Sequence, residues 1–255
     1  MEKRLTFNED EINYDKYRPI YPEELYEKIF SYCNLNPDSR LLEIGIGTGQ
    51  ATEPFLKSEY NVTAVELGDR LSAFVADKYS DYKNFRVIYA DFMNYQIAPE
   101  SFDLIYSATA FHWLPAEKYN KVMRCLKPGG VLALFWNHPF PNRKNDETNL
   151  VSQAVYNKYR PSDKKQIEFC EDECIKYADE LKTYGFTDVE YCLFRRTRTL
   201  STDEYLHLLN TYSDHRILEP SVKACFEKDM RQAIDSVGGR INIYDTIDLY
   251  LAKKP

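Results

Sequence analysis

Short apolar runs alternate with amphipathic stretches through the first half of the chain. Arg40 to Ile44 reads as a strand opening into Gly45, Gly47 and Gly49, and Ala51 to Ser58 as the helix that follows. Asn61 to Leu67 reads as a second strand, Asp69 to Tyr79 as a helix capped near Gly68 or Asp69, and Phe85 to Ala90 as a third strand. Phe102 to Ser107 gives a fourth. Pro115 to Leu126 is a helix begun by proline and stopped by Lys127-Pro128-Gly129-Gly130, and Val131 to Trp136 a fifth strand. Alternation of this kind predicts a parallel sheet with right-handed crossovers, and continuously apolar strands predict that both sheet faces are covered.

The pattern changes at His138. Residues 139 to about 181 are polar, charged and helical, and FCEDECIKYADEL (169–181) reads as an amphipathic helix of an inserted cap. Val189 to Leu200 reads as a long strand, Thr202 to Tyr212 and Pro220 to Val237 as helices, and Ile241 to Ala252 as a last strand after Gly238-Gly239. Neither late strand is followed by a glycine phosphate loop. They are predicted to be an antiparallel closing pair at the edge of a mostly parallel sheet.

Three of the nine glycines fall within the five positions 45–49, at a strand-to-helix turn. Such a turn lets backbone approach a ligand at the sheet edge where α/β proteins bind theirs. A dinucleotide fingerprint would need its last glycine at position 50, which is Gln50, so the spacing is G-x-G-x-G. Glu66 lies at the end of the second strand, placed to accept hydrogen bonds from two ribose hydroxyls, and Asp91 ends the third. An acidic pocket suits a cationic ligand better than a pyrophosphate.

Charge and composition narrow the class. With 44% hydrophobic and 29% charged residues, the chain is neither disordered nor fibrous, and its 255 residues fit one large α/β core. No run of about 18 apolar residues occurs and the first ten residues lack a secretory apolar segment, so no membrane association and a cytoplasmic address are expected. A net charge of -7 argues against nucleic acid as partner, although Arg195, Arg196 and Arg198 form a local basic patch. The six cysteines are too sparse for a disulfide framework and read as reduced thiols. Cys170-x-x-x-Cys174 has poor spacing for zinc, and no metal is expected.

Together, Glu43-Ile-Gly45-Ile-Gly47-Thr-Gly49, Glu66, Ala90-Asp91, Phe102-Asp-Leu-Ile105 with Phe111-His112-Trp113, and Leu126-Lys-Pro-Gly-Gly130 resemble the class I S-adenosylmethionine-dependent methyltransferases. Within that class they are similar to the small-molecule, methyltransferase type 11 group that includes trans-aconitate methyltransferase-like enzymes. The resemblance covers residues 10–138 and extends beyond them only by topology. It implies an α/β, Rossmann-like, mostly parallel seven-stranded sheet with an antiparallel C-terminal strand and a helical cap. It also implies a division into an N-terminal helical lid (1–39), a cofactor-binding half (40–138), a cap insertion (139–186) and a C-terminal part completing the sheet (187–255).

The cofactor implied is S-adenosylmethionine, leaving as S-adenosylhomocysteine. Gly45, Gly47 and Gly49 would line its amino-acid end, Glu66 its ribose, and Asp91 with Phe92 its adenine. Leu67 and Ser107 are counted with these contacts, as is Glu43, a structural or ligand-orienting carboxylate rather than a catalyst. In similar methyltransferases the segment holding Tyr14, Tyr17 and Arg18 folds over the cofactor, so Tyr14 and Arg18 join the expected contacts. Arg18 could also fork onto an acidic acceptor.

Methyl transfer from a sulfonium is an in-line displacement that needs no nucleophilic residue. A carboxylate acceptor needs no base either; a hydroxyl or protonated amine does. His112 and His138, just past the fourth and fifth strands, are the candidates for base or substrate contact, against the alternative that they pack. Trp113 reads as packing, and His207 and His215 as surface residues. The expected function is methyl transfer to a small organic acceptor, a carboxylate or hydroxyl. The alternatives are a nucleic-acid base or protein methyltransferase, disfavoured because Ser107-Ala-Thr-Ala-Phe111 lacks the Asn/Asp-Pro-Pro-aromatic turn, and a non-catalytic cofactor-binding protein. Acceptor specificity falls in residues 139–181 and the late helices, which carry no motif, and no feature speaks to oligomeric state.

Overall fold

Leu41 and Leu42 are adjacent, fully buried and on opposite faces of one strand, which fixes the layering of the molecule. The computed structural model describes residues 10–162 and 166–255; the first nine residues of the expected lid and residues 163–165 of the expected cap lie outside the described residues. Five strands, β1 (Arg40–Ile44), β2 (Asn61–Glu66), β3 (Phe85–Tyr89), β4 (Phe102–Ala108) and β5 (Leu126–Phe140), pair in parallel. Helices α3 (Glu53–Lys57), α4 (Asp69–Lys78) and α5 (Lys118–Cys125) connect β1 to β2, β2 to β3 and β4 to β5. The late strands β6 (Thr187–Ser201) and β7 (Arg240–Lys253) complete a seven-stranded sheet of order β3-β2-β1-β4-β5-β7-β6.

β7 is antiparallel to both neighbours, β5 and β6. The late strands thus form an antiparallel pair that closes the sheet at one edge, as the sequence pattern predicted: β7 lies inside, between β5 and β6, and β6 forms the edge. The reason is in the side chains. Residues 245 to 252 of β7 are all buried and need neighbours on both sides, whereas β6 is half-exposed along its length and carries arginines, a composition that protects an edge from further pairing.

One face packs Leu41, Ala64, Leu104, Tyr106, Phe135 and Leu249 against Leu25 and Ile29 of α2 (Glu23–Tyr32), Phe55 of α3 and Val75 of α4. The other packs Leu42, Val65, Ile105, Leu132 and Leu134 against Val122 of α5 and Cys174, Ala178 and Leu181 of α7 (Glu171–Thr183). Helix α7, assigned to the cap from its polarity, thus covers the sheet through its apolar stripe. A third cluster, containing Val155, Phe226, Met230, Ile234 and Ile243, is built from α6 (Glu147–Tyr159), α8 (Thr202–Leu209), α9 (Pro220–Asp235) and the start of β7. Asp146 ties this helical cap to the sheet: its side chain caps α6 by accepting from Thr148 N–H, and also accepts from Asn242 and the Tyr244 hydroxyl. Among the described residues no helix is long and apolar enough to cross a membrane.

Candidate active site

The carboxyl ends of β1 to β5 open into a cavity of about 350 Å³, roofed by α1 (Glu11–Tyr17) on one side and by residues 212–214, just after α8, on the other. This is where a parallel sheet of this topology presents a ligand. Of the sequence-predicted residues, Tyr14, Arg18, Gly45, Gly47, Glu66, Leu67, Asp91, Phe92 and His112 line it.

The glycine turn is shaped for close approach. Gly45, with φ +72°, sits so near the β4 end that a Cβ there would lie 2.6 Å from Ala110 Cβ. Gly47 N–H donates to Glu66 Oε2 at 3.0 Å and Gly68 N–H to Oε1 at 2.9 Å. Burial pushes the Glu66 carboxyl above its usual range, opposed by these amides and that of Leu67. A carboxylate offers about four lone-pair sites, so both oxygens keep acceptor capacity toward the cavity, the pair of acceptors a ribose diol requires. Asp91 holds the turn after β3 by accepting from Met93 N–H, and Phe92 packs beneath it with the Lys121 ammonium over its ring. The residues present fit S-adenosylmethionine.

Glu43, Gly49, Ser107 and His138 stand outside the cavity wall. Glu43 is buried under the glycine turn and accepts from Thr52 Oγ1 at 2.7 Å and the Tyr106 hydroxyl at 2.9 Å; burial pushes its carboxyl up to about 8. Gly49 has φ +87° and Tyr79 lies where a side chain would be, the Tyr79 hydroxyl donating to Gly49 O. Ser107 Oγ donates to Ile44 O and locks β4 to the end of β1. His138 is excluded by strand alternation: Asn137 and Pro139 line the cavity, so His138 between them points to the other face. There it stacks on Phe169 with ring centroids 3.8 Å apart, and its Nε2 lies 3.1 Å from Asp248 Oδ1. His215, expected on the surface, is buried against Phe226 with Tyr156 Oη 3.1 Å from its Nε2, and burial pushes its pKa down to about 4.

Helix α1 crosses the cavity as a strap without a buried side chain. On the cofactor side Glu11 pairs with Arg70 and Asp15 with Lys78, which also donates to Thr48 O. On the cap side Asn13 donates to His207 O and Tyr17 stacks on His207. Arg18 donates to Thr211 O at 2.9 Å with its guanidinium over the rings of both Tyr14 and Tyr212. It is a lid-to-cap tie as much as a cavity residue.

The far end of the cavity contains residues the sequence did not single out: Tyr21, Thr109, Asn137, Tyr212 and Asp214. Thr109 has φ +54°, an uncommon conformation for a β-branched residue, held by a 2.7 Å contact between its hydroxyl and that of Tyr21. His112 sits in a single 3₁₀ turn, Phe111–Trp113, pinned by Lys118 Nζ, which donates to Phe111 O and Leu114 O. Its Nδ1 accepts from Trp136 Nε1–H at 3.0 Å. Desolvation, followed by the Lys118 charge, lowers its pKa. A period-two reading of β5 would have exchanged His138 for Asn137; the chain-distant Tyr21 and Tyr212 had no local signal.

Residues 42–134 match the family model described as methyltransferase domain. The chain is 27% identical over 212 residues to an uncharacterised methyltransferase-like protein of Schizosaccharomyces pombe, covering 82% of this chain and 77% of that one. In fold it is similar to a proposed type II methyltransferase of Anaeromyxobacter dehalogenans (TM-score 0.67, 19% identity, 93% of this chain and 98% of that chain). It also resembles phosphoethanolamine N-methyltransferase 2 of Haemonchus contortus, solved with phosphomonomethylethanolamine and S-adenosylhomocysteine (TM-score 0.56, 16% identity, 99% of this chain and 57% of that chain). The matched domain and these likenesses support a class I S-adenosylmethionine-dependent methyltransferase with S-adenosylmethionine as its methyl donor.

Proposed function

We propose that the enzyme methylates a small organic acceptor bearing a carboxylate or hydroxyl, with donor and acceptor sharing the one cavity. The observation that carries this reading is the continuity of the wall from Glu66 and Asp91, at the ends of β2 and β3, to His112 and Asn137, at the ends of β4 and β5, beneath a strap and a cap. A roofed cavity of about 350 Å³ suits a small molecule rather than a base within a duplex or a folded protein segment.

In this reading Glu66 binds the ribose diol, Asp91 and Phe92 flank the adenine, and the Gly45–Gly47 turn takes the amino-acid end. The cofactor supplies an activated methyl group on a sulfonium. The protein aligns it with the acceptor and excludes water, Tyr14 and Arg18 covering the site from α1 and its C-terminal cap, and Tyr212 from the cap.

The test follows tritiated methyl from S-adenosylmethionine into separated small-molecule, nucleic-acid and protein fractions of an extract, and scores alkali-labile volatile counts for methyl esters. Label confined to small molecules is expected. Label in RNA or protein would overturn the acceptor class, and no transfer by protein that binds S-adenosylhomocysteine would favour a non-catalytic binder.

A further inference from the structure

An indole N–H only donates, so the 3.0 Å bond from Trp136 Nε1 to His112 Nδ1 requires a lone pair on Nδ1. The neutral ring then carries its proton on Nε2, the nitrogen left for the cavity. Trp136 is itself fixed: buried, edge-on to Tyr177 and Tyr250, with its backbone N–H on Asp248. Lys118 holds the turn bearing His112 from the other side. Neither ring can move toward a different pairing without breaking these contacts.

We infer that Trp136 locks His112 as a neutral Nε2–H hydrogen-bond donor, a specificity-determining contact to the acceptor and not a general base. The inference rests on the cavity being the methyl-transfer site. The surroundings of His112 oppose its protonation, burial first and then the Lys118 ammonium of α5. The other titratable side chains at that end do not replace it as a base. Asp214 is paired with Arg160 at 2.7 Å, and burial pushes the Tyr21 and Tyr212 phenols up.

A site without a base selects an acceptor atom that has no proton to lose, which points to a carboxylate over a hydroxyl. One carboxylate oxygen accepts from His112 Nε2–H. The other forms the new O–C bond as the S–C bond breaks and its electron pair returns to sulfur. The products are a neutral methyl ester and a thioether, and no proton moves.

Ring-¹⁵N NMR of histidine-labelled protein saturated with S-adenosylhomocysteine reads the tautomer without an acceptor; with four histidines in the chain, His112→Gln assigns the signal. The expected result is an unprotonated Nδ1 and a protonated Nε2 for His112 across about pH 6 to 8, with the preference lost in Trp136→Phe. A protonated Nδ1 with a bare Nε2 would overturn the lock while leaving cofactor binding, and so the site assignment, intact. In the transfer assay His112→Gln, which retains an N–H donor, is expected within roughly tenfold of wild type, and His112→Phe to lose about 100-fold in kcat/KM. A donor role further predicts alkali-labile label and a rate flat over about pH 6 to 9. A rate rising through one ionisation that His112→Gln abolishes, or alkali-stable label, would reject it.

Discussion

Gly47 N–H and Glu66 Oε2 meet at 3.0 Å, joining the glycine turn after β1 to the acid that ends β2. Glu66→Ala should therefore remove both the acceptor for the ribose hydroxyls and the partner of two backbone amides. Charge-assisted hydrogen bonds contribute about 1.5–3 kcal/mol each, so the dissociation constant for S-adenosylhomocysteine should rise by roughly 100-fold or more in calorimetry. Glu66→Gln, which keeps one acceptor oxygen, should lose less. Unchanged affinity in Glu66→Ala would remove the central cofactor assignment.

Gly45 and Gly129 both have positive φ, but only at Gly45 would a Cβ collide, with Ala110 at 2.6 Å; Gly129 has nothing within 4 Å. Gly129→Ala should cost only the left-handed strain, about 1–2 kcal/mol. Gly45→Ala adds overpacking of about 1–3 kcal/mol and displaces the β4 turn that leads to His112. Denaturant midpoints should rank the two in that order, with cofactor binding weakened only in Gly45→Ala. Equal stabilities would mean that the turn and the β4 end relax independently.

Arg18 is sandwiched between Tyr14 and Tyr212 and hydrogen-bonded to Thr211 O, so it fastens α1, which buries nothing, to the cap. Arg18→Ala should speed S-adenosylhomocysteine release, raising its dissociation constant about tenfold, with a small change in Tm. Arg18→Lys should not rescue fully, because the ammonium lacks the planar face that stacks. Stopped-flow release rates test this; an unaltered off-rate would mean that the strap does not gate the ligand.

The parallel half of the sheet and its glycine turn were legible because each strand, turn and helix is a contiguous signal: Gly45, Gly47 and Glu66 stand at strand ends that periodicity alone marks. Four features were not. The position of β7 between β5 and β6 depends on long-range pairing, although the unbroken burial of residues 245–252 is consistent with an interior strand. Helix α7 has a polar composition, and only its contacts reveal that Cys174, Ala178 and Leu181 face the sheet. His138 is adjacent to two cavity residues, and one step along a strand reverses its direction. The role of His112 depends on Trp136, 24 residues away in sequence, through a bond that no local pattern encodes.

Glu43 predicts a pH dependence of stability. Its carboxyl, at 4.5 when unperturbed, is held at about 8 chiefly by burial beneath the glycine turn. Between those values the folded protein retains a proton that the unfolded chain has released, so stability must fall as pH rises across the window and level off above it. The slope is at most about 1.4 kcal/mol per pH unit. Glu43→Gln keeps an acceptor oxygen for Thr52 and Tyr106 and has no proton to lose. Urea unfolding of both proteins from about pH 5 to 9 should show the variant's curve flatter and its advantage greatest at the alkaline end. Parallel curves would show that Glu43 is ionised in the fold throughout, with its charge carried by the Thr52 and Tyr106 hydroxyls.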